Sequence, residues 1–136
     1  MTRCIQTIAA LLLSMHFLAC EQRPVAKAIK IDVNQLSGML AEAVPPKLFD
    51  ANGPATREKY GIIPTATLLD GRKYDMKLLP ESRVEALVFY CSGTLCGAAE
   101  GAAQRALAAG YTTVKVLPVG IRGWKRAGKQ TVAPPS

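Results

Sequence analysis

Apolar residues dominate from Ile5 to Ala19, and from residue 28 onward they fall into short blocks whose period alternates between strand and helix. "AIKI" at 28–31 predicts a short strand. Asp32 or Asn34 can cap a helix whose apolar residues Leu36, Met39, Leu40 and Ala43 follow the i, i+3, i+4, i+7 rule, and Pro45-Pro46 stops it. "KLFD" (47–50) reads as a buried strand, and 51–61 as a turn with a short helix from near Pro54. "ATLL" (66–69) is a further strand, Asp70-Gly71 marks a turn, and 72–82 fits neither period. "EALVFY" (85–90) is continuously apolar, the pattern of a strand buried on both faces of a parallel sheet. Residues 97–109 are rich in alanine, the best helix former, with Gly110 in the position of a C′ cap. "TVKVLP" (113–118) predicts another strand, and "GIRGWKRAG" (120–128) a closing turn with a short helix. The tail "TVAPPS" (131–136) is expected to fray. Strands alternating with helices predict an α/β domain over residues 28–130 with a mainly parallel central sheet flanked by helices. There is no internal repeat and no low-complexity segment.

A chain of 136 residues is long enough to bury one core without staples. Its apolar N-terminus is short for a membrane span of roughly 20 residues and carries Arg3 ahead of it, the layout of an export signal. It ends in Phe17-Leu18-Ala19-Cys20, which resembles a bacterial lipobox. On that reading residues 1–19 are a lipoprotein signal peptide, Cys20 is lipidated, and 20–27 tether the domain; an ordinary cleaved signal or an anchor helix is the alternative. Multiple acyl chains hold a protein stably where one does so marginally. Glu21 in place of aspartate after the cysteine leans towards the outer membrane. The expected location is the cell envelope, facing the periplasm.

Removing the signal changes the accounting. Cys4 and His16, the sole histidine, leave with it, and the formal charge falls from +7 to +6 with the loss of Arg3. The remaining excess is spread along the chain with no run of five like charges, so a solvated surface is expected and no nucleic-acid site. Two free thiols remain, Cys91 and Cys96. Two thiols without a histidine do not supply the four ligands of structural zinc, so no metal site is expected. No cofactor is implied.

Cys91 immediately follows the apolar strand, and ligands of open α/β sheets bind outside the carboxyl ends of strands. Ser92, Gly93, Thr94 and Leu95 form a small loop that leads through Cys96 and Gly97 into a helix N-terminus. Successive backbone amides and the helix dipole favour an anion there, and the same setting stabilises a thiolate. Cys91 is therefore the candidate nucleophile for anionic sulfur or oxygen species. A residue packed at a strand end is the plainer reading. Cys96 can be a buried structural thiol or a resolving partner for Cys91, provided the loop brings their Cα atoms within about 7 Å. Arg57, Lys59, Arg105 and Arg122 are the cations nearest in pattern to the site. A solvated surface position is the plainer reading for each, and Arg122, near the end of the final strand, is the best placed of the four.

These residues give the chain a resemblance to the rhodanese-like domain. In that family a strand ends in the catalytic cysteine, a six-residue loop wraps the bound group, and a helix follows; Cys91-Ser92-Gly93-Thr94-Leu95-Cys96 is similar to that loop. Downstream, Gly110-Tyr111, Gly120-Ile121 and Trp124 fill the places of the family's Ala-Gly-Tyr, Gly-Ile and tryptophan. Upstream, "LFDAN" resembles the strand ending in Asp-x-Arg, with Asp50 in place, and "YGIIPTA" resembles Gly-His-Ile-Pro-Gly-Ala. The likeness spans roughly 28–129. Asn52 stands where arginine is common, Ile62 replaces the histidine, and Thr65 replaces the glycine. The loop also lacks the lysine or arginine that helps the family handle thiosulfate.

The resemblance implies sulfur transfer. The Cys91 thiolate takes sulfane sulfur as a persulfide and passes it to cyanide or a thiol acceptor, with Asp50 and Trp124 as supporting residues and Trp124 serving core and lid. The partners implied are a small sulfur-containing anion and a thiol acceptor. The family's phosphatases have a loop one residue longer that ends in arginine, which this loop does not match. A non-catalytic rhodanese-like binding module, or a thiol-redox protein with a Cys91–Cys96 disulfide, are the alternatives.

Overall fold

The computed structural model describes residues 25–135; the expected signal 1–19, the lipidation residue Cys20 and the tether up to residue 24 lie outside the described residues. Among the described residues five strands, β1 (Ile29–Lys30), β2 (Lys47–Asp50), β3 (Thr67–Leu68), β4 (Leu87–Tyr90) and β5 (Val114–Leu117), pair in the order β1-β5-β4-β2-β3. The four pairings between these strands are all parallel, with α1 (Val33–Leu40), α2 (Pro54–Tyr60), α3 (Ala98–Ala108) and α4 (Gly120–Arg126) as connections and flanks. The α/β class read from the sequence holds.

Strand β4 is central, and all four of its residues are buried. Alternation divides the core between the faces of the sheet. Leu87 and Phe89 pack with Ala99, Ala102, Ala103 and Ala106 of α3, while Val88 and Tyr90 pack with Leu36 of α1 and with Ile121 and Trp124 of α4. Phe89 stacks on Phe49 with centroids 5.0 Å apart. The alanines of α3 let the helix approach the sheet closely, and each large apolar side chain buried beneath contributes about 1.5–3 kcal/mol.

Local chemistry fixes the boundaries. Asp32 caps α1 in a reciprocal box with Gln35: the Gln35 amide donates to Asp32 Oδ1 at 2.8 Å, and the Asp32 amide to Gln35 Oε1 at 2.9 Å. Pro54 opens α2, and Gly61, at φ +74°, ends it. Residues 72–82, ambiguous by period, contain parts of two short 3₁₀ turns (Gly71–Lys73 and Met76–Leu78), the first packed against α3. Their anchor is Tyr74, whose buried hydroxyl donates to the Ala102 carbonyl at 3.0 Å. The tail departs from expectation. Val132 exchanges two backbone hydrogen bonds with Ile62, at 2.8 and 2.9 Å, so the chain is pinned at residue 132 instead of fraying from 131.

Register matters most for function. Asp50, Tyr90 and Leu117 sit side by side across β2, β4 and β5, so Ala51, Cys91 and Pro118 leave the sheet together at its carboxyl edge.

Candidate active site

The strand end that carries Cys91 is held firmly. The Tyr90 carbonyl accepts from the Ala51 amide at 2.9 Å, and the Tyr90 hydroxyl accepts from the Ile63 amide at 3.0 Å. Burial pushes the Tyr90 phenol well above its ordinary pKa, and the neighbouring Asp50 carboxylate adds to the shift. Tyr90 thus stays neutral and fixes the residue before the cysteine by both backbone and side chain.

Asp50 is fully buried at the end of β2, where Oδ1 accepts from the Asn52 amide at 2.7 Å and from Arg57 Nε at 3.3 Å. Arg57 also donates to the carbonyls of Asp50 (2.9 Å) and Leu69 (2.7 Å), tying β2 to the chain after β3. With its side chain only 11% exposed, Arg57 is a structural cation and neither a solvated one nor an anion ligand. Arg105 is likewise committed elsewhere, lying 5.2 Å from the Tyr74 ring and donating to Met76 Sδ.

From Cys91 the loop turns back on itself. Cys91 is 2% exposed and packs in the cluster that includes Ala99, with Cys96 and Ala98 against it, at the first turn of α3. Its Sγ lies 3.1 Å from the Cys96 carbonyl oxygen, and the Cys96 amide donates to the Gly93 carbonyl at 3.0 Å. The sulfurs of Cys91 and Cys96 are in contact as a disulfide pair, with Cα atoms 6.3 Å apart, inside the span such a bond requires. Among the described residues, the amides of Gly93, Thr94 and Leu95 have no backbone acceptor. Leu95 projects from the loop tip, fully exposed.

The start of α4 clamps this loop. The Ile121 amide donates to the Cys91 carbonyl at 2.8 Å and the Arg122 amide to the Ser92 carbonyl at 3.2 Å. Gly120 makes the approach possible. It has φ +57°, and a Cβ there would overlap the Cys91 carbonyl and lie 2.7 Å from Gly93 N and Ser92 C.

Between loop and helix lies a cavity of about 330 Å³ lined by Ser92, Gly93, Thr94, Leu95, Cys96, Val119, Arg122 and Arg126. The uncharged loop therefore faces two guanidinium groups one turn apart. Arg122 is the cation singled out by sequence; Arg126 is not, although its i, i+4 spacing from Arg122 on a predicted helix places both on one face. A second groove of about 380 Å³ adjoins the cavity through the same two arginines and adds Lys59, Tyr60 and Lys125. Gly97, the N-cap of α3, is exposed and outside the cavity lining. Trp124 belongs to the core beneath α4, where Nε1 donates to the Gln130 carbonyl at 2.8 Å; it supports the clamp from behind and does not line the cavity.

Chemically, the site sets the Cys91 sulfur against the first turn of α3, next to a small cavity that brings loop residues with unbonded backbone amides together with Arg122 and Arg126. Such a site suits attack on an electrophilic sulfur carried by an anion. Among the described residues, no three His, Cys, Asp or Glu side chains converge to hold a metal ion.

The rhodanese-like domain family model matches residues 32–127. Among solved structures, a Bacillus halodurans protein is similar at 23% identity and TM-score 0.66, over 78% of this chain and 77% of that one. The polysulfide-sulfur transferase of Wolinella succinogenes is similar at 14% identity and TM-score 0.62, over 79% and 80%. A Rhodopseudomonas palustris protein described as a possible tyrosine phosphatase is similar at 19% identity and TM-score 0.61, over 77% and 85%. At these identities the likenesses speak for the fold alone. No curated protein matches the chain.

Proposed function

The chain belongs to the rhodanese-like domain family, and on that premise we propose that it transfers sulfane sulfur through a persulfide on Cys91. The observation that carries this reading is the position of Cys91 immediately after the central strand, with the next loop residues, Ser92 to Cys96, lining a cavity together with Arg122 and Arg126. The loop offers no charge to a dianionic donor, and α4 supplies it instead.

In the first half-reaction the Cys91 thiolate attacks the outer sulfur of a donor such as thiosulfate. A Cys91 S–S bond forms, the donor S–S bond breaks, and sulfite leaves with the bond's electron pair, its charge met by the two arginines. In the second, cyanide or a thiolate attacks the outer sulfur and Cys91 leaves as thiolate. No histidine base is required when the thiol is already ionised by amides and helix dipole. The phosphatase branch is less well supported, because the loop reaches Gly97 without an arginine. The sulfur–sulfur contact with Cys96 favours a second reading, thiol–disulfide exchange at the same loop. The test is thiocyanate formation from cyanide and a panel of sulfane donors by the fully reduced wild type and by fully reduced Cys96→Ser, in which no second thiol can oxidise Cys91. Activity lost in Cys91→Ser is expected; no turnover with any donor overturns the reading.

We further propose that the domain works at the cell envelope, tethered to the outer membrane by lipid on Cys20 and facing the periplasm. The support is the sequence of residues 1–21 alone. Labelled palmitate should attach to the wild type and not to Cys20→Ala; label retained by that variant contradicts the anchor.

A further inference from the structure

We infer that Cys96 is a resolving thiol that discharges the Cys91 persulfide as hydrogen sulfide, so that the loop reduces sulfane sulfur at the expense of a small dithiol. The inference rests on the sulfur-loading role proposed for Cys91 and extends it to the fate of the sulfur.

A persulfide has two sulfurs open to attack, with different products. Attack on the outer sulfur transfers it; attack on the inner one, Cys91 Sγ, expels it as sulfide. Cys96 Sγ lies in contact with Cys91 Sγ itself, across a Cα separation of 6.3 Å. The loop is folded for this contact, since the Cys96 amide is bonded to the Gly93 carbonyl and the Cys96 carbonyl lies 3.1 Å from Cys91 Sγ. The placement selects the inner sulfur. Cys96 thiolate and Cys91 persulfide then give the Cys91–Cys96 disulfide and HS⁻. The bond between the two persulfide sulfurs breaks and the bond between the cysteines forms. The sulfane sulfur gains two electrons, and the two cysteines lose them.

Reset follows from the unequal exposure of the pair. Cys91 is buried and absent from the cavity wall, whereas Cys96 is half-buried and lines it. An incoming dithiol reaches Cys96 first, forms a mixed disulfide there, and frees Cys91 as the thiolate inside the amide loop. The second thiol of the reductant then releases Cys96. With thiosulfate as donor, thiosulfate and dithiol yield sulfite, sulfide, one proton and the cyclic disulfide of the reductant.

The experiment loads fully reduced protein, freed of small thiols, with thiosulfate or benzenethiosulfonate. Their by-products are sulfite or a sulfinate and never sulfide. Sulfite or sulfinate, sulfide, and the alkylation state of Cys91 and Cys96 by peptide mass are read together. Wild type should release about one sulfide per chain with no added thiol and lose both loop thiols, while Cys96→Ser releases sulfite or sulfinate but at least ten-fold less sulfide and keeps a cyanide-labile sulfur. Retention of that sulfur by wild type, with Cys96 still alkylatable, overturns the resolving role and leaves sulfur transfer standing. No by-product and no bound sulfur in either protein overturns both.

Discussion

Replacing Gly120 by alanine tests whether the clamp between α4 and the loop holds the nucleophile. The new Cβ would overlap the Cys91 carbonyl and sit 2.7 Å from Gly93 N and Ser92 C, backbone atoms that cannot swing aside. The φ of +57° costs a side-chain-bearing residue about 1–2 kcal/mol before any contact is counted. Relief requires α4 to withdraw, which breaks the Ile121–Cys91 and Arg122–Ser92 backbone hydrogen bonds, each contributing about 1 kcal/mol. The expected loss is about 3–4 kcal/mol, a large part of the roughly 5–15 kcal/mol that holds a domain together. Urea unfolding followed by Trp124 fluorescence measures it, and the rate of sulfur loading on Cys91 should fall with it. Gly38→Ala is the control: it lies within α1, a Cβ there meets nothing within 4 Å, and it should gain about 0.5–1 kcal/mol with loading unchanged. A Gly120→Ala protein as stable as wild type, loading sulfur at the normal rate, would refute the close approach and the clamp built on it.

Arg122→Gln and Arg126→Gln should each raise the KM for a dianionic donor about three-fold while leaving kcat within about two-fold, because both cations are exposed and screened. The effect should shrink at high salt, and an unchanged KM in the double variant would exclude α4 as the anion wall. Thr65 is the only non-glycine residue at positive φ (+72°) among the described residues, so Thr65→Gly should raise stability by about 1 kcal/mol; a lower melting temperature would contradict that strain. Burial raises the Tyr74 pKa from 10.0 to about 12, so the folded state favours the neutral phenol. That contribution is complete below pH 10.0 and fades as pH rises towards about 12, and Tyr74→Phe should show a shallower loss of stability over this range. Equal slopes for the two proteins would contradict it.

The sheet was legible because its strands announce themselves by composition. "LVFY" is buried on both faces and reads as such, and Asp32, Pro54 and Gly110 mark boundaries by local chemistry alone. What was hidden depends on register and on long-range packing. Arg57 looks like any helix cation in sequence; only the alignment of β2 with β3 turns it onto Asp50 and the Leu69 carbonyl. Residues 72–82 carry no period because a buried Tyr74 hydroxyl, and no regular ladder, anchors them to α3. Val132 pairs with Ile62, a partner some seventy residues earlier, so nothing near it in the chain signals order. Arg126 had a usable signal in its spacing from Arg122, but its value emerges only once Gly120 brings α4 against the loop. The contact of Cys91 with Cys96 belongs to the same class, since a separation of five residues is compatible with closure but does not compel it.

The most direct measurement uses the Cys96→Ser variant, in which bound sulfur has no internal route of escape. Reduced protein is treated with thiosulfate labelled in its outer sulfur, freed of excess donor, and exposed to cyanide, and the label is mapped by peptide mass before and after. The account predicts about one labelled sulfur per chain on Cys91, recovered in full as thiocyanate, and none in Cys91→Ser/Cys96→Ser. Label absent from Cys91, or present equally in the double variant, would contradict Cys91 as the sulfur-carrying nucleophile.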